Sequence, residues 1–211
     1  MLRDAYPFLF ALALLAVIAA IAGQFYHSGF FLLVYLFILL ALFIAFFFRN
    51  PEREIATDAS LVLAPADGHV SVVKPMDAND PSAGNVVSIF LSVFDVHVNR
   101  TPIAGRITNV KYQKGKFLNA LNQRSSIENE QNIITVQNEQ LTVTFSQIAG
   151  VIARRIVFWK KIGDTLSPGE RIGLIKFGSR TDIFLPTTVK IEVQKGDRVI
   201  GGKTIIGKIS A

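Results

Sequence analysis

The chain has 211 residues, half of them hydrophobic, and a formal net charge of +6 at pH 7. It has no cysteine, which excludes disulfides, thiolate metal sites and a cysteine nucleophile. Residues 5–48 contain no Asp, Glu, Lys or Arg, whereas charged residues are frequent in the rest of the chain. The remainder, roughly 160 residues, can bury one hydrophobic core. We therefore expect a membrane segment followed by one soluble domain, whose basic character suits anionic lipids and also favours solubility.

Two apolar runs, Tyr6–Ala22 and Phe30–Phe48, flank the short polar segment at 23–29. As helices they would be about 25–29 Å long at ~1.5 Å per residue, close to the ~30 Å hydrocarbon core of a bilayer. A cleaved signal peptide is disfavoured because the second apolar run follows the first at once. The pattern predicts that residues 1–48 are a transmembrane helical hairpin, with a shallow re-entrant hairpin as the alternative.

The positive charges around this hairpin predict its orientation. Arg3 precedes the first apolar run, and Arg49 and Arg53 follow the second. Positively charged flanks are retained on the cytoplasmic side of a membrane. We therefore expect a cell-membrane protein whose soluble domain faces the cytoplasm.

From residue 49 onward, short runs rich in Val, Ile, Thr and Phe are separated by Gly, Pro, Asp and Asn. This pattern is typical of a mostly β sandwich or barrel, and we assign it to residues 49–211. The run at 85–98 predicts one extended strand. The polar interruption at 116–131 predicts a short helix and a mobile loop.

Two C-terminal segments, 163–172 and 196–205, share the pattern Gly-Asp-x-(Leu or Val)-x-x-Gly-x-x-Ile. Each predicts a Gly-Asp turn leading into a strand, so we expect two similar β-units facing one another. The arrangement resembles the barrel-sandwich of biotinyl and lipoyl carrier domains. No modifiable lysine follows a matching pattern, which disfavours a swinging-arm carrier.

Three histidines are the candidates for acid–base chemistry. His27 lies in the polar loop of the predicted hairpin, and His69 follows an Asp-Gly pair. In the predicted strand at 85–98 and just beyond it, alternation puts Asp95, His97 and Asn99 on one face. Taken alone, that face is most simply a solvated sheet edge. The histidine spacing matches no zinc motif, so we expect no metal.

Four motifs acquire a meaning when they are taken together. They are "PADG" at 65–68, "FDVHVNRTPIAG" at 94–105, "QIAGVIARRIVFW" at 147–159 and "GERIGLIKFGSRTDIFLP" at 169–186. Together they closely resemble the phosphatidylserine decarboxylase family, in its short bacterial and archaeal form. The resemblance extends over about residues 48–210.

The resemblance implies that the protein cuts its own backbone between Gly178 and Ser179. Ser179 would become an N-terminal pyruvoyl group, leaving a β chain of residues 1–178 and an α chain of residues 179–211 that stay associated. Glycine suits the position before the cut because it tolerates a strained backbone.

The same resemblance implies the reaction. The covalent pyruvoyl group would form a Schiff base with the amine of phosphatidylserine, and loss of CO₂ would give phosphatidylethanolamine without an external cofactor. A ketone is needed because no ordinary side chain is an electron sink of this kind. The expected partners are the phospholipid and the membrane, with no nucleic acid.

The resemblance also assigns roles to individual residues. His97 and Asp67 match the acid–base positions of the family, where histidine and aspartate act with the serine. Arg100, Arg154 and Arg155 are candidates for binding the lipid phosphodiester, with solvated surface arginines as the alternative.

Three other functions are compatible with parts of the pattern. A membrane-tethered barrel-sandwich adaptor without enzymatic activity would explain the anchor and the Gly-Asp repeat, but it gives no reason for the motif around Gly178. An archaetidylserine decarboxylase would act on the same headgroup with an ether-linked backbone. A pyruvoyl decarboxylase of a soluble amino acid is disfavoured by the uncharged N-terminal segment.

Overall fold

The structure is a computed structural model. It describes residues 1–122, 124–151, 155–176 and 178–210. The chain divides into two compact units, Met1–Glu52 and Arg53–Ala211.

The first unit is a pair of apolar helices, α1 (Tyr6–Phe25) and α2 (Phe31–Phe47), each preceded by one turn of 3₁₀-helix. The helices pack against each other, and the backbone of Gly23 in α1 lies close to the ring of Phe31 in α2. With their 3₁₀ turns, both are long and apolar enough to cross a bilayer. The predicted hairpin of two apolar helices is confirmed.

The described part of the second unit contains fourteen strands, one short α-helix and one turn of 3₁₀-helix at Pro81–Ala83. In chain order the strands and the α-helix are β1 (Leu61–Leu63), β2 (Gly68–Pro75), β3 (Asn85–Leu91), β4 (Val98–Arg100), β5 (Gly105–Gln113), α3 (Ser125–Glu128), β6 (Gln131–Gln137), β7 (Thr142–Ile148), β8 (Arg155–Phe158), β9 (Thr165–Leu166), β10 (Arg171–Lys176), β11 (Ser179–Leu185), β12 (Val189–Ile191), β13 (Arg198–Val199) and β14 (Ile205–Ile209).

These strands form three antiparallel sheets. The largest is a curled half-barrel of eight strands in the order β13-β2-β3-β11-β7-β6-β5-β9. Two three-stranded sheets, β4-β10-β8 and β1-β14-β12, complete the domain. The core is made of inward-facing aliphatic side chains with Phe145 among them. The predicted mostly β, barrel-sandwich-like class is confirmed.

The two Gly-Asp segments lie at the two edges of the large sheet. The first supplies edge strand β9, and the second supplies the opposite edge strand β13. Their turns are bonded alike, because Gly163 donates to the carbonyl of Ile107 and Gly196 donates to the carbonyl of Val70. The sequence repeat is thus a structural repeat.

The second glycines of the two Gly-Asp segments both lie against the side chain of Ile55. Gly169 and Gly202 both have positive φ, +62° and +75°, and a Cβ on either would come within 2.8–3.0 Å of Ile55. The two β-units therefore face one another, as the repeat predicted.

The run at 85–98 is not one strand, so that prediction is wrong. Strand β3 ends at Leu91, and the chain turns before β4 begins in a different sheet. The carboxylate of Asp95 causes the turn by accepting hydrogen bonds from the backbone and the hydroxyl of Ser92, both at 2.8 Å. The polar face is also not a solvated edge, because Asp95, His97 and Asn99 are all at most 1% exposed.

Candidate active site

Ser179 begins the central strand β11 and is fully buried. Its backbone is paired with Leu91 of β3, and the next residue pairs with both neighbouring strands. Among the described residues, the Ser179 hydroxyl oxygen has no hydrogen-bond partner. A buried hydroxyl without a partner is unfavourable by about 1–3 kcal/mol, so this oxygen is a candidate for a chemical role.

The residue before Ser179 has a left-handed backbone. Gly178 has φ +48°, a conformation that costs other residues roughly 1 kcal/mol or more. A Cβ there would meet no atom of the described residues within 4 Å. The glycine is therefore required by its backbone angle and not by crowding.

The carbonyl of Gly178 lies against Gly150, two residues beyond the end of β7. A Cβ placed on Gly150 would be only 2.2 Å from the Gly178 carbonyl oxygen. The pairing of Arg180 with Ile148 explains this contact, because two more antiparallel steps bring Gly150 opposite Gly178. The absence of a side chain at Gly150 thus allows the Gly178 carbonyl to lie in this position.

Strands β10 and β11 both approach Gln147 of β7. Gln147 pairs with Thr181 of β11, and its side-chain nitrogen would be 3.1 Å from a Cβ on Gly173 of β10. Both strands therefore lie beside this residue, and Ser179 is the first residue of β11. In β10, the amide of Ile175 donates to the carbonyl of His97 at 3.4 Å. The fold thus brings the predicted histidine beside β10, the strand that precedes Ser179 in the chain.

The His97 ring is 1% exposed, and its Nδ1 is 3.0 Å from the carbonyl oxygen of Asp95. A carbonyl oxygen can only accept, so Nδ1 carries the proton. In the neutral ring the lone pair is then on Nε2, the form required of a general base. The turn that interrupts the predicted strand is therefore also what sets the tautomer of His97.

Asp67 lies at the same end of the sheet as Ser179, with strand β3 between them. His69 pairs with Phe90 of β3, and the next residue of β3, Leu91, pairs with Ser179. Two strand spacings amount to roughly 10 Å. The carboxylate of Asp67 accepts two hydrogen bonds from Arg53, at 2.7 and 2.8 Å, and one from the amide of Gly201 at 2.9 Å. Its described partners are thus structural ones.

This arrangement makes a prediction about Asp67. Replacing Asp67 with asparagine leaves Arg53 as a buried cation without its counterion, and we expect a loss of about 3 kcal/mol in the free energy of unfolding. Urea unfolding of the detergent-solubilised protein measures it. Arg53→Gln is the matched variant, and the double variant should recover part of the loss if the ion pair is the whole role. If the predicted self-cleavage is slow in Asp67→Asn but not in Arg53→Gln, the result would instead support a chemical role for Asp67.

The three arginines that were predicted to bind the lipid phosphodiester lie in different parts of the domain. Arg100 is buried in β4, and its guanidinium donates to the carbonyl of Gly169 at 2.8 Å. Arg155 begins β8 and is exposed. Arg154 lies outside the described residues. Phosphodiester binding by these side chains stays a prediction.

A pocket of about 330 Å³ opens beside the Gly178–Ser179 bond. It is lined mainly by apolar surface and includes Ser92, Asn119, Val151 and Gly178. Its lining comes from the end of β3 and the turn after it, from the segment before α3, and from the residues that follow β7 and precede β11. A pocket of this size can admit a small polar headgroup with part of a hydrophobic chain.

Two features of the site were not found from the sequence. On the outer face of β11, Arg180 forms a buried ion pair with Asp182, at 2.5 Å from Nε, and donates to the hydroxyl of Ser88 at 2.7 Å. On the inner face, the side-chain amide of Gln147 donates to Asn99 at 2.8 Å. The sequence signal was the run of four consecutive polar residues from Ser179 to Asp182, which does not identify partners on distant strands.

Comparison with known proteins assigns this barrel-sandwich domain to the decarboxylases. A family profile described as phosphatidylserine decarboxylase matches residues 40–207. The chain therefore belongs to the phosphatidylserine decarboxylase family.

Curated relatives are similar over nearly the whole chain. A phosphatidylserine decarboxylase proenzyme of Citrifermentans bemidjiense is 45% identical over 97% of this chain and 94% of its own length. One of Carboxydothermus hydrogenoformans is 47% identical over 99% of this chain and 96% of its own. One of Solibacter usitatus is 53% identical over 81% of each.

Proposed function

We propose that this protein is a membrane-bound phosphatidylserine decarboxylase that makes its own pyruvoyl group by cutting the bond between Gly178 and Ser179. The observation that carries the proposal is the fully buried serine hydroxyl directly after a left-handed glycine, at the head of a central strand. The relatives are phosphatidylserine decarboxylase proenzymes, which supports the choice of substrate and a precursor that is processed.

The self-cleavage uses only this chain and one water molecule. The Ser179 hydroxyl attacks the carbonyl carbon of Gly178, the C–N bond breaks, and an ester forms while one proton moves from oxygen to nitrogen. Removal of the Ser179 α-proton then expels the Gly178 carboxylate and leaves dehydroalanine at position 179. Water converts dehydroalanine to the keto group and releases ammonia, so atoms and charge balance.

His97 is the proposed proton carrier. Its Nδ1–H is held by the Asp95 carbonyl, which leaves the Nε2 lone pair to accept a proton. Because the ring is almost fully buried, bulk water does not compete for that position. Asp67 is proposed to support this end of the sheet through its ion pair with Arg53. The same histidine can return a proton to the product carbon during decarboxylation.

The site fits a covalent keto group at position 179. The residue is buried at a strand end, with the pocket beside it for a substrate headgroup. When formed, the keto group supplies an electrophile that condenses with a substrate amine and withdraws electrons as CO₂ leaves. The chain's own contribution is to hold that carbon rigidly, to exclude bulk water and to supply the proton.

The sheet also explains how two pieces would stay together after the cut. Every residue of β11 pairs with β3, and five of them pair with β7, both of which lie in the longer piece. The later strands β13 and β14 pair with β2 and β1 of the longer piece as well. We therefore propose a stable heterodimer of residues 1–178 and 179–211.

The proposed location is the cell membrane, with the catalytic domain in the cytoplasm. Two apolar helices support membrane attachment. The cytoplasmic side follows from Arg3 before the hairpin and Arg49 after it. Such a location suits an enzyme whose substrate and product are both bilayer lipids.

The test is the state of the purified protein. We expect denaturing gels and intact-mass measurement to give two pieces, 1–178 and 179–211, with the smaller blocked to Edman sequencing. Phenylhydrazine, which reacts with ketones, should abolish release of CO₂ from phosphatidylserine. A single intact chain that releases no CO₂ would instead favour the adaptor function. Assays of ester-linked and ether-linked serine lipids in parallel distinguish the two possible backbones.

A further inference from the structure

A chain of side-chain amides runs across the inner face of the large sheet to Asn99. Asn132 of β6 pairs with Gln147 of β7 and donates to its side-chain oxygen at 3.2 Å. Gln147 in turn donates to the side-chain oxygen of Asn99 at 2.8 Å. All three residues are at most 4% exposed, so the amides are shielded from bulk water.

This chain sets the orientation of Asn99. Its oxygen is taken by Gln147, so its amide nitrogen must point elsewhere. That nitrogen is buried and has no hydrogen-bond partner among the described residues. The chain of amides, which spans three strands, therefore leaves both N–H groups of the Asn99 side chain buried and directed away from Gln147.

Two more buried polar atoms lie on the same side of the sheet. Thr181 is two residues after Ser179 in β11, so both side chains point to one face. Thr181 also pairs with Gln147, which puts it beside the amide chain. The hydroxyls of Ser179 and Thr181, like the Asn99 nitrogen, have no partner in the described part of the protein.

The spacing decides how these groups can act on one another. Residues i and i+2 of a strand are roughly 6.6 Å apart, too far for the two hydroxyls to bond directly. A buried water typically makes about three hydrogen bonds to buried polar groups that otherwise lack partners. Asn99, Thr181 and Ser179 supply three such groups.

We propose that Asn99 and Thr181 are positioning residues of the self-cleavage step, and that they act through one ordered water held against the Ser179 hydroxyl. The water fixes the rotamer from which Ser179 attacks the Gly178 carbonyl, and it stabilises the oxygen as its proton leaves. The net reaction of the self-cleavage is unchanged, because the water gives up every proton that it accepts. This inference depends on the proposed function.

The decisive variant is Thr181→Val, which removes the hydroxyl and keeps the shape. Because that hydroxyl has no protein partner among the described residues and gives up only one hydrogen bond to the proposed water, its loss should leave the melting temperature nearly unchanged. We expect Thr181→Val to slow the appearance of fragment 179–211 about tenfold, and Thr181→Ser to restore the rate. The readout is the rate of self-cleavage, followed by intact mass after synthesis of the full chain in the presence of lipid vesicles.

Thr101→Val is the matched control. Thr101 is equally buried, but its hydroxyl donates to the carbonyl of Ile103 at 2.7 Å. This variant should melt at a lower temperature and still cleave at the wild-type rate. Asn99→Asp is the second test, because it keeps the oxygen that accepts from Gln147 and removes the two donors. It should also cleave about tenfold more slowly.

The results separate this inference from the function on which it depends. If the wild type and the Thr181→Val variant cleave themselves at the same rate, the positioning role is overturned and the proposed decarboxylase function is unaffected. A wild type that is never cleaved would overturn both. Loss of cleavage in Thr181→Val together with a lower melting temperature and no rescue by Thr181→Ser would show a merely structural threonine.

Discussion

Ser179→Ala is expected to remain a single uncut chain and to release no CO₂ from phosphatidylserine. Alanine has no oxygen to attack the Gly178 carbonyl, so neither the ester nor the later keto group can form. The fold should survive, because the Ser179 hydroxyl has no partner among the described residues. The melting temperature should therefore equal or exceed that of an uncut wild type. Gel analysis, intact mass and release of labelled CO₂ are the measurements.

The matched control is Ser146→Ala. Ser146 is also buried and lies on the neighbouring strand β7, but it pairs with Asp182 and so points to the opposite face from Ser179. This variant should be cut and should be active. Appreciable decarboxylation by uncut Ser179→Ala would refute the assignment of the reactive group to this position.

The reactive bond was located through the resemblance of four motifs to the decarboxylase family, because a Gly-Ser pair between apolar runs is by itself an ordinary turn signal. A part of the fold could be predicted from local sequence alone. The repeat at 163–172 and 196–205 predicted two equivalent turns, which the structure places at opposite edges of one sheet. That repeat is a local pattern, in which glycine and aspartate tolerate or stabilise particular turns.

The parts that were not predicted depend on contacts between distant strands. Gly150 meets Gly178 only because of the register between β7 and β11. The amide chain joins Asn99, Gln147 and Asn132, which belong to three strands and two sheets. No periodicity within one segment reveals such pairings, because register is set by the whole sheet.

The wrong prediction at 85–98 has a different cause. The run is rich in Val and Phe, and its strand propensity obscured a turn signal that was present in the sequence. Ser92 and Asp95 are three residues apart, a spacing at which an aspartate can accept from the backbone and the hydroxyl of the serine. Giving that pair more weight than the β propensity would have ended the strand at Leu91.

Gly150→Ala is expected to stop or greatly slow self-cleavage without changing any group that takes part in the chemistry. Gly150 is not in the left-handed region, so alanine can adopt its backbone angles. Its new methyl group would, however, lie 2.2 Å from the Gly178 carbonyl oxygen. The carbonyl must move by about 1 Å, and a displacement of that size at a reacting atom can cost roughly 100-fold in rate. Time-resolved intact mass should show the uncut chain persisting.

The control for steric strain is Gly207→Ala in β14, far along the chain from the cut. A Cβ there would be 2.6 Å from a methyl group of Val189 and 2.8 Å from the carbonyl oxygen of Lys190, and Gly207 likewise avoids the left-handed region. Both variants should lose stability through crowding, but only Gly150→Ala crowds the bond that is cut. Equal cleavage rates in the two variants would mean that the Gly178 carbonyl tolerates displacement. If Gly150→Ala cleaves itself slowly and Gly207→Ala cleaves itself fast, the rate depends on the position of the Gly178 carbonyl oxygen.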